Sequence, residues 1–543
     1  MSQINYQKLS VLVADDFSSF RNTVNGMLLN LGVMHVDMAS NGDETIALCE
    51  GKSYDVILCD YDLGHGRSGQ HVLEELRYKQ LINANSLFLM VSAEASRNIV
   101  MSAYDCEPND YLMKPITGRM LEQRINRLLT QRKVFSEVND ALKKEDFDSA
   151  MTQLVDMSVA TNRYTVMAQK MLGELFLSLG EVNKAEKLYT KALEVRQLDW
   201  ARLGLARVKQ LQGELDTAGQ WLDKIVQDNP LYLPAYDVLA DNWEKRGDGE
   251  QLQSAVEKAV TVSPMSILRQ KRLAKVADDN QDVRSALAAM RKTIKLGRLS
   301  CHGSSDDAFM FARMAARAVE SNVDVPHTVA GEAMEYLHDS QKQNEMSSEQ
   351  RIQCNLLQGR VHACTGRRDK AQQILNDSFD LSDRGKIQFD TDLDRVGLML
   401  GLNDKEQANE LLEKLQRQYS GDQQALQKLD VYLDEPASDA NQEVVASINR
   451  EGIDLYADER YDEALTCFER ARKQFPKHAG IHLNIAQALL GKVKAGDYAD
   501  DLERECSSVF EMVASLVDKK HPQYSRYMRL RRKAVGLKIH IHS

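Results

Sequence analysis

Proline and glycine are scarce, with 9 and 29 in a chain of 543 residues. So few breakers favour long helical stretches. Basic charge is also in deficit. Lys and Arg number 69 against 80 Asp and Glu, a formal net charge of −11. That balance argues against non-specific nucleic-acid binding, which depends on counterion release at a basic surface. No uninterrupted run of about 18 apolar residues occurs, so no membrane span is expected. Residues 1–10 hold no apolar signal core. The cysteines at 49, 59, 106, 301, 354, 364, 467 and 506 form no Cys-x-x-Cys pair. Several sit in apolar segments, which points to buried reduced thiols in a cytoplasmic protein rather than a disulfide framework or zinc site. A glycine-rich nucleotide loop is missing too. The remaining composition is that of an ordinary folded chain, 43% hydrophobic and 27% charged. Its length suits about three domains, or one domain and a repeat array.

The first part of the chain alternates strand and helix signals. Apolar runs at 9–14, 33–39, 54–59, 87–91 and 110–113 predict five strands. Helical stretches are expected at 17–31, after Asn41-Gly42, at 69–79 and from 118 through 129. This alternation predicts an α/β fold, a doubly wound, five-stranded parallel sheet. The last of these helices is expected to run on through 128–147, which would offer a route of coupling to the later part of the chain.

Beyond residue 134 strand signals vanish, and a spacing recurs. A small residue is followed twelve positions later by Ala or a substitute, then by a large side chain, then by a small or apolar one. Gly173, Ala185, Tyr189 and Ala192 form the best instance. Ala206, Ala218, Leu222, Ile225 come next, then Ala240, Leu252, Val256, Ala259, then Ala274, Ala286, Met290, Thr293. The units are offset by 33, 34 and 34 residues, with turn glycines Gly180, Gly213 and Gly247 at one position. Two separate units start at Gly359 and Gly452. The spacing resembles the tetratricopeptide repeat, a helix–turn–helix unit that stacks on its neighbours. That resemblance implies an all-α helical-repeat solenoid whose groove takes a protein partner.

In an open α/β sheet, ligands bind beyond the carboxyl ends of the strands. Asp15 and Asp16 follow the first strand, Asp60 the third, Ser92 the fourth, and Lys114 the fifth. Three carboxylates in one small volume call for a cation, and an all-oxygen set suits Mg²⁺. A carboxylate nucleophile needs no deprotonation at neutral pH, and a lysine can neutralise charge on a transferring phosphoryl group. His35, His65 and His71 lack partners at metal-ligand spacing and read as surface or packing residues.

The set of Asp15-Asp16, Asp60 in YDVILCDYDLG, Ser92-Ala93-Glu94, and Tyr111 and Lys114 in DYLMKP resembles the receiver domain of two-component response regulators, with a flavodoxin-like fold. The resemblance implies that Asp60 is the phosphoacceptor and that Mg²⁺ is held by Asp15, Asp16, Asp60 and the backbone carbonyl of Asp62. It implies that Lys114 contacts the phosphoryl group and that Ser92 and Tyr111 form a conformational switch. Two departures stand out: Gly64 replaces a usual proline, and the loop 63–69 is one residue longer. The expected organisation is a receiver at 1–132, a helical linker and cap at 133–165, tetratricopeptide-like repeats at 166–300, degenerate helical repeats at 301–433, and a C-terminal repeat with helical cap at 442–543, after a linker at 434–441.

The expected function is that of a cytoplasmic response regulator, phosphorylated by a histidine kinase, whose output is protein–protein interaction through the repeats. Nucleic acid is not an expected partner, and catalysis is limited to the chain's own phosphorylation. Two alternatives use the same parts: a repeat-type phosphatase acting on another regulator, and a phosphate sink competing with a sister regulator.

Overall fold

The computed structural model describes residues 5–82, 86–93, 101, 106–321, 323–342, 346–382, 389–496, 500–519, 521–537 and 539. It divides into two compact units, Met1–Ala277 with Ser285–Asp307, and Asp278–Arg284 with Ala308–Ser543.

The first unit opens with five parallel strands, β1 (Ser10–Ala14), β2 (His35–Ala39), β3 (Val56–Asp60), β4 (Leu87–Ser92) and β5 (Asp110–Met113). Their order across the sheet is β2-β1-β3-β4-β5. Alternating side chains serve two cores, as a pleated strand buried on both faces requires. Val11, Val13, Val56 and Leu58 point to one face, with Val24, Leu28, Leu121 and Ile125 packed on them. Leu12, Ala14, Ile57 and Cys59 point to the other, against Ile46, Val72, Leu73 and Leu76. The covering helices are α1 (Ser18–Asn30) and α4 (Gly118–Val134) on the first face, and α2 (Gly42–Gly51) and α3 (Gly69–Tyr78) on the second. Side-chain caps start three of them: Asn41 accepts from Glu44 N, Ser68 from His71 N, and Thr117 from Met120 N. His71 completes a capping box at the start of α3, a packing role.

The expected continuation of the last receiver helix is corrected here. Helix α4 stops at Val134, and a new helix runs Ser136–Lys143. Phe135 between them is 2% exposed and is drawn into a separate core with Val138, Leu154 and Leu172. Its backbone, at φ −97° and ψ 7°, leaves the helical region at the junction.

Helical hairpins then succeed one another at the expected period: Thr165–Ser178 with Val182–Val195, Asp199–Leu211 with Leu215–Asp228, Leu233–Arg246 with Gly249–Val262, and Ile267–Asp279 with Val283–Gly297. Gly180, Gly213 and Gly247 turn the first three with φ of +74°, +81° and +70°, a conformation that glycine adopts without strain. Tyr189 shows why the small positions are small. A Cβ at Gly173 would stand 2.6 Å from its ring, and one at Gly204 in the next hairpin 2.3 Å. One aromatic ring thus fills two vacated positions on successive hairpins. Gly204→Val is expected to overpack this contact and to destabilise the chain by about 1–3 kcal/mol, read from urea denaturation. An unchanged midpoint would mean that Tyr189 can swing aside at no cost.

The second unit repeats the device. A Cβ at Gly452 would lie 2.4 Å from the Phe468 ring. In the stretch 301–433, ion pairs with one buried and one partly exposed member interrupt the small-residue pattern. Arg313 forks onto Asp394 at 2.7 Å through each nitrogen, and Arg360 onto Glu320 at 2.9 and 2.7 Å. The segment 434–441 is tightly held: the Asp430 carboxylate accepts from Ala437 N, Ser438 Oγ and Asn441 Nδ2.

Candidate functional site

Parallel register brings the strand ends to one level. Ala14 pairs with Cys59, Asp60 with Val91, and Ser92 with Met113. The residues at or just past those ends therefore share one edge of the sheet. Asp15 leaves β1 with its backbone N–H donating to Ala39 O at 3.2 Å. Its Oδ1 accepts from Phe17 N at 2.8 Å, which fixes the approach to α1.

Asp15, Asp16 and Asp60 converge, with one carboxylate oxygen from each lying within 4.8 Å of the others. Asp15 is fully buried, Asp60 nearly so, and Asp16 exposed. Lys114 reaches in from beyond β5. Its ammonium donates to Asp15 Oδ2 at 2.6 Å and to Asp60 Oδ2 at 2.5 Å. Burial pushes the Asp60 carboxyl up to about 6; Lys114 pulls the other way, and the charge of Asp15 adds to the rise. Burial opposes the charge on Lys114 as well, but its bonds to the two aspartates outweigh that, and its pKa rises. One lysine thus faces two of three carboxylates, leaving net negative charge for a further cation to neutralise. The three carboxylates offer oxygen donors, the donor chemistry that Mg²⁺ selects, so Asp15, Asp16 and Asp60 fit such an ion.

The remaining expected residues lie close by in the chain. Ser92 is 3% exposed at the end of β4, and its carbonyl accepts from Lys114 N at 2.8 Å. Tyr111, on β5, packs against the second-face core at partial burial. Asp62 folds back on its own loop, its Oδ1 accepting from Gly64 N at 3.1 Å. Gly64 has φ +75°, and a Cβ there would stand 3.4 Å from Asp16 Oδ2. A proline, locked near −65°, cannot adopt that conformation, which accounts for the departure at this position. Gly66, in the same loop, has φ +106°. Glu94 lies outside the described residues.

Three contributors escaped the sequence reading. Phe20, on the first turns of α1, places its ring 4.2 Å beneath the Lys114 ammonium. Arg21 donates to Asp15 O at 2.5 Å. Gly69, the first residue of α3, sits where a Cβ would be 2.2 Å from the Asp60 carbonyl oxygen. Only Gly69 carried a sequence signal, a serine–glycine pair at a helix start. Phe20 and Arg21 read as ordinary residues of an amphipathic helix.

Residues 11–126 match the family model of the response regulator receiver domain, and residues 170–232 and 449–505 match that of the tetratricopeptide repeat. The chain is 28% identical over 131 residues to the chemotaxis protein CheY of Pseudomonas aeruginosa, covering 24% of this chain and 99% of that protein. It is 26% identical over 128 residues to the chemotaxis protein CheY-3 of Vibrio cholerae, covering 24% and 97%. Among solved structures, the receiver domain of the Francisella response regulator 1452 is 27% identical, covering 23% of this chain and 98% of that chain at a TM-score of 0.21. The chain therefore carries a receiver domain near its beginning and tetratricopeptide repeats further on. No described helix is long and apolar enough to cross a membrane.

Proposed function

We propose that the chain is a response regulator phosphorylated on Asp60 by a histidine kinase, with its output carried by protein partners of the repeats. The observation that supports this reading is the convergence of Asp60 with Asp15, Asp16 and Lys114 at the carboxyl edge of the sheet. An Asp60 carboxylate oxygen attacks the phosphorus of the phosphohistidine. The P–N bond breaks, the imidazole leaves with its electron pair, and an acyl phosphate forms on Asp60. The Lys114 ammonium, already bonded to Asp60 Oδ2, stays within reach of the phosphoryl oxygens and offsets the charge they carry. Asp15, Asp16 and Asp60 would hold Mg²⁺, which supplies further charge neutralisation when bound. Burial of Asp60 limits competing water. The chain catalyses its own phosphorylation and no other reaction.

The addition of about −1.5 to −2 charge at a buried site is a large electrostatic change. Ser92 and Tyr111 respond to it, and the response alters binding of a partner at the repeats. The test is labelling by acetyl phosphate, with and without chelation. Aspartyl phosphate should form with Mg²⁺ and fall at least about tenfold with EDTA or in Asp16→Ala. Equal labelling with EDTA would remove the metal role of the three aspartates.

A further inference from the structure

Helix α3 has different neighbours at its two ends. At its start, the Gly69 N–H donates to Tyr61 O at 2.9 Å, and the missing Cβ leaves the helix seated against the Asp60 backbone. Near its other end it meets the repeats of the same unit. Ser300 Oγ donates to Glu74 Oε2 at 3.3 Å. The Tyr78 and His302 rings meet edge to face, with centroids 5.9 Å apart. Glu74 is braced from within the receiver, its Oε1 accepting from Gln70 Nε2 at 3.0 Å and Cys106 Sγ at 3.3 Å. Met101, from the chain between β4 and β5, packs with Leu233, Tyr236, Ala259 and Val262 of the third hairpin. Burial and the charges of Glu74 and Glu75 push up the Cys301 thiol, in the same loop as Ser300 and His302. A cleft of about 640 Å³ lies beside these contacts, lined by Arg77 and Cys106 from the receiver and by Asp237, Arg269 and Arg272 from the repeats.

We propose that the receiver docks on the third and fourth hairpins through the carboxyl-terminal end of α3 and Met101, that the docked receiver masks this face, and that phosphorylation of Asp60 releases it through α3. The proposal rests on Asp60 being the phosphoacceptor. Its physical basis is that α3 is short and stiff, ten residues and about 15 Å long. It touches the phosphoacceptor backbone at one end and the repeats at the other. Among the described residues, the contacts that join this end to the repeats include one hydrogen bond, one ring edge and one methionine, beside a cleft. Hydrogen bonds weaken steeply with misalignment, so a small displacement of α3 costs the dock its directional contacts. By linkage, docking must in turn oppose modification of Asp60.

The test uses the full chain with Mg²⁺ and beryllofluoride. Calorimetry reads beryllofluoride binding, and hydrogen exchange reads the amides of 298–303 and of helix Ile267–Asp279. Saturating beryllofluoride should speed exchange at 298–303 by about fivefold or more. Glu74→Lys, and independently His302→Ala from the repeat side, should show fast exchange without it. Both should bind beryllofluoride more tightly than wild type, by about three- to tenfold. Saturable binding in the wild type with unchanged exchange would overturn the dock's coupling while leaving Asp60 as the phosphoacceptor. Wild-type exchange and affinity in both variants would overturn the dock itself. Failure of the wild-type chain to bind beryllofluoride would overturn the functional reading and this proposal with it.

Discussion

Asp60→Asn is expected to abolish labelling by acetyl phosphate with the chain still folded. Asparagine keeps the size of the side chain and can still accept a hydrogen bond from Lys114. It has no anionic oxygen to attack phosphorus, and it removes one of the three carboxylates of the candidate metal site. The effect on stability should have the opposite sign. Burial raises the Asp60 pKa in the folded chain to about 6, above its unfolded value. A group shifted in that direction contributes stability that is fully present below the unfolded pKa and is lost as pH rises through the folded one. Near neutral pH, without a divalent cation, the wild type therefore carries a desolvated charge that asparagine relieves. The variant should melt at the same temperature or higher at pH 7 in EDTA, and the gap should close toward pH 4. Labelling of Asp60→Asn at the wild-type rate would move the phosphoacceptor elsewhere. A variant that melts well below wild type would mean that the Lys114 ion pair outweighs the burial of Asp60.

The second large effect lies far from that site. Glu320→Ala is expected to destabilise the second unit by about 3 kcal/mol. Arg360 is nearly completely buried, with its guanidinium forked onto the Glu320 carboxylate. Removal of the carboxylate leaves a buried positive charge without its counter-ion, which costs far more than the intact pair contributes. Glu320 itself is 27% exposed, which places the figure at the low end of the range for buried pairs. Urea denaturation should show the change as a lower midpoint in the transition of the second unit. Glu320→Ala combined with Arg360→Met should recover most of the loss, because the stranded charge is then gone. A single variant within about 0.5 kcal/mol of wild type, the range of ordinary surface substitutions, would mean that water or another acid reaches Arg360 at little cost.

These two residues mark where sequence reading succeeds and where it fails. Asp60 was legible because a local rule applies: an apolar run that ends in a polar residue places that residue at the edge of a parallel sheet. The same rule found Asp15, Asp16, Ser92 and Lys114. The repeats were legible because each hairpin contacts its neighbours at a fixed period, so small residues such as Gly173 and Ala185 recur at a fixed spacing. The period faded over 301–433 where one member of each of three ion pairs, Asp394, Arg360 and Arg395, is buried against a partly exposed partner. Buried charges look like surface charges in a one-dimensional pattern.

What the sequence by itself determined is the class of each part: five strands alternating with helices, then helical hairpins, and a cluster of acids with one lysine at the strand ends. Those features arise from periodicities of two, of 3.6 and of about 34 residues. Only the tertiary structure decided that Phe135 breaks the helix leaving the receiver, that Phe20 lies beneath Lys114, and that Gly69 gives α3 its seat against Asp60. It also decided that Glu74 meets Ser300, 226 residues away. No local pattern encodes such a pairing, because its energy depends on two surfaces that acquire their shapes only after each part has folded.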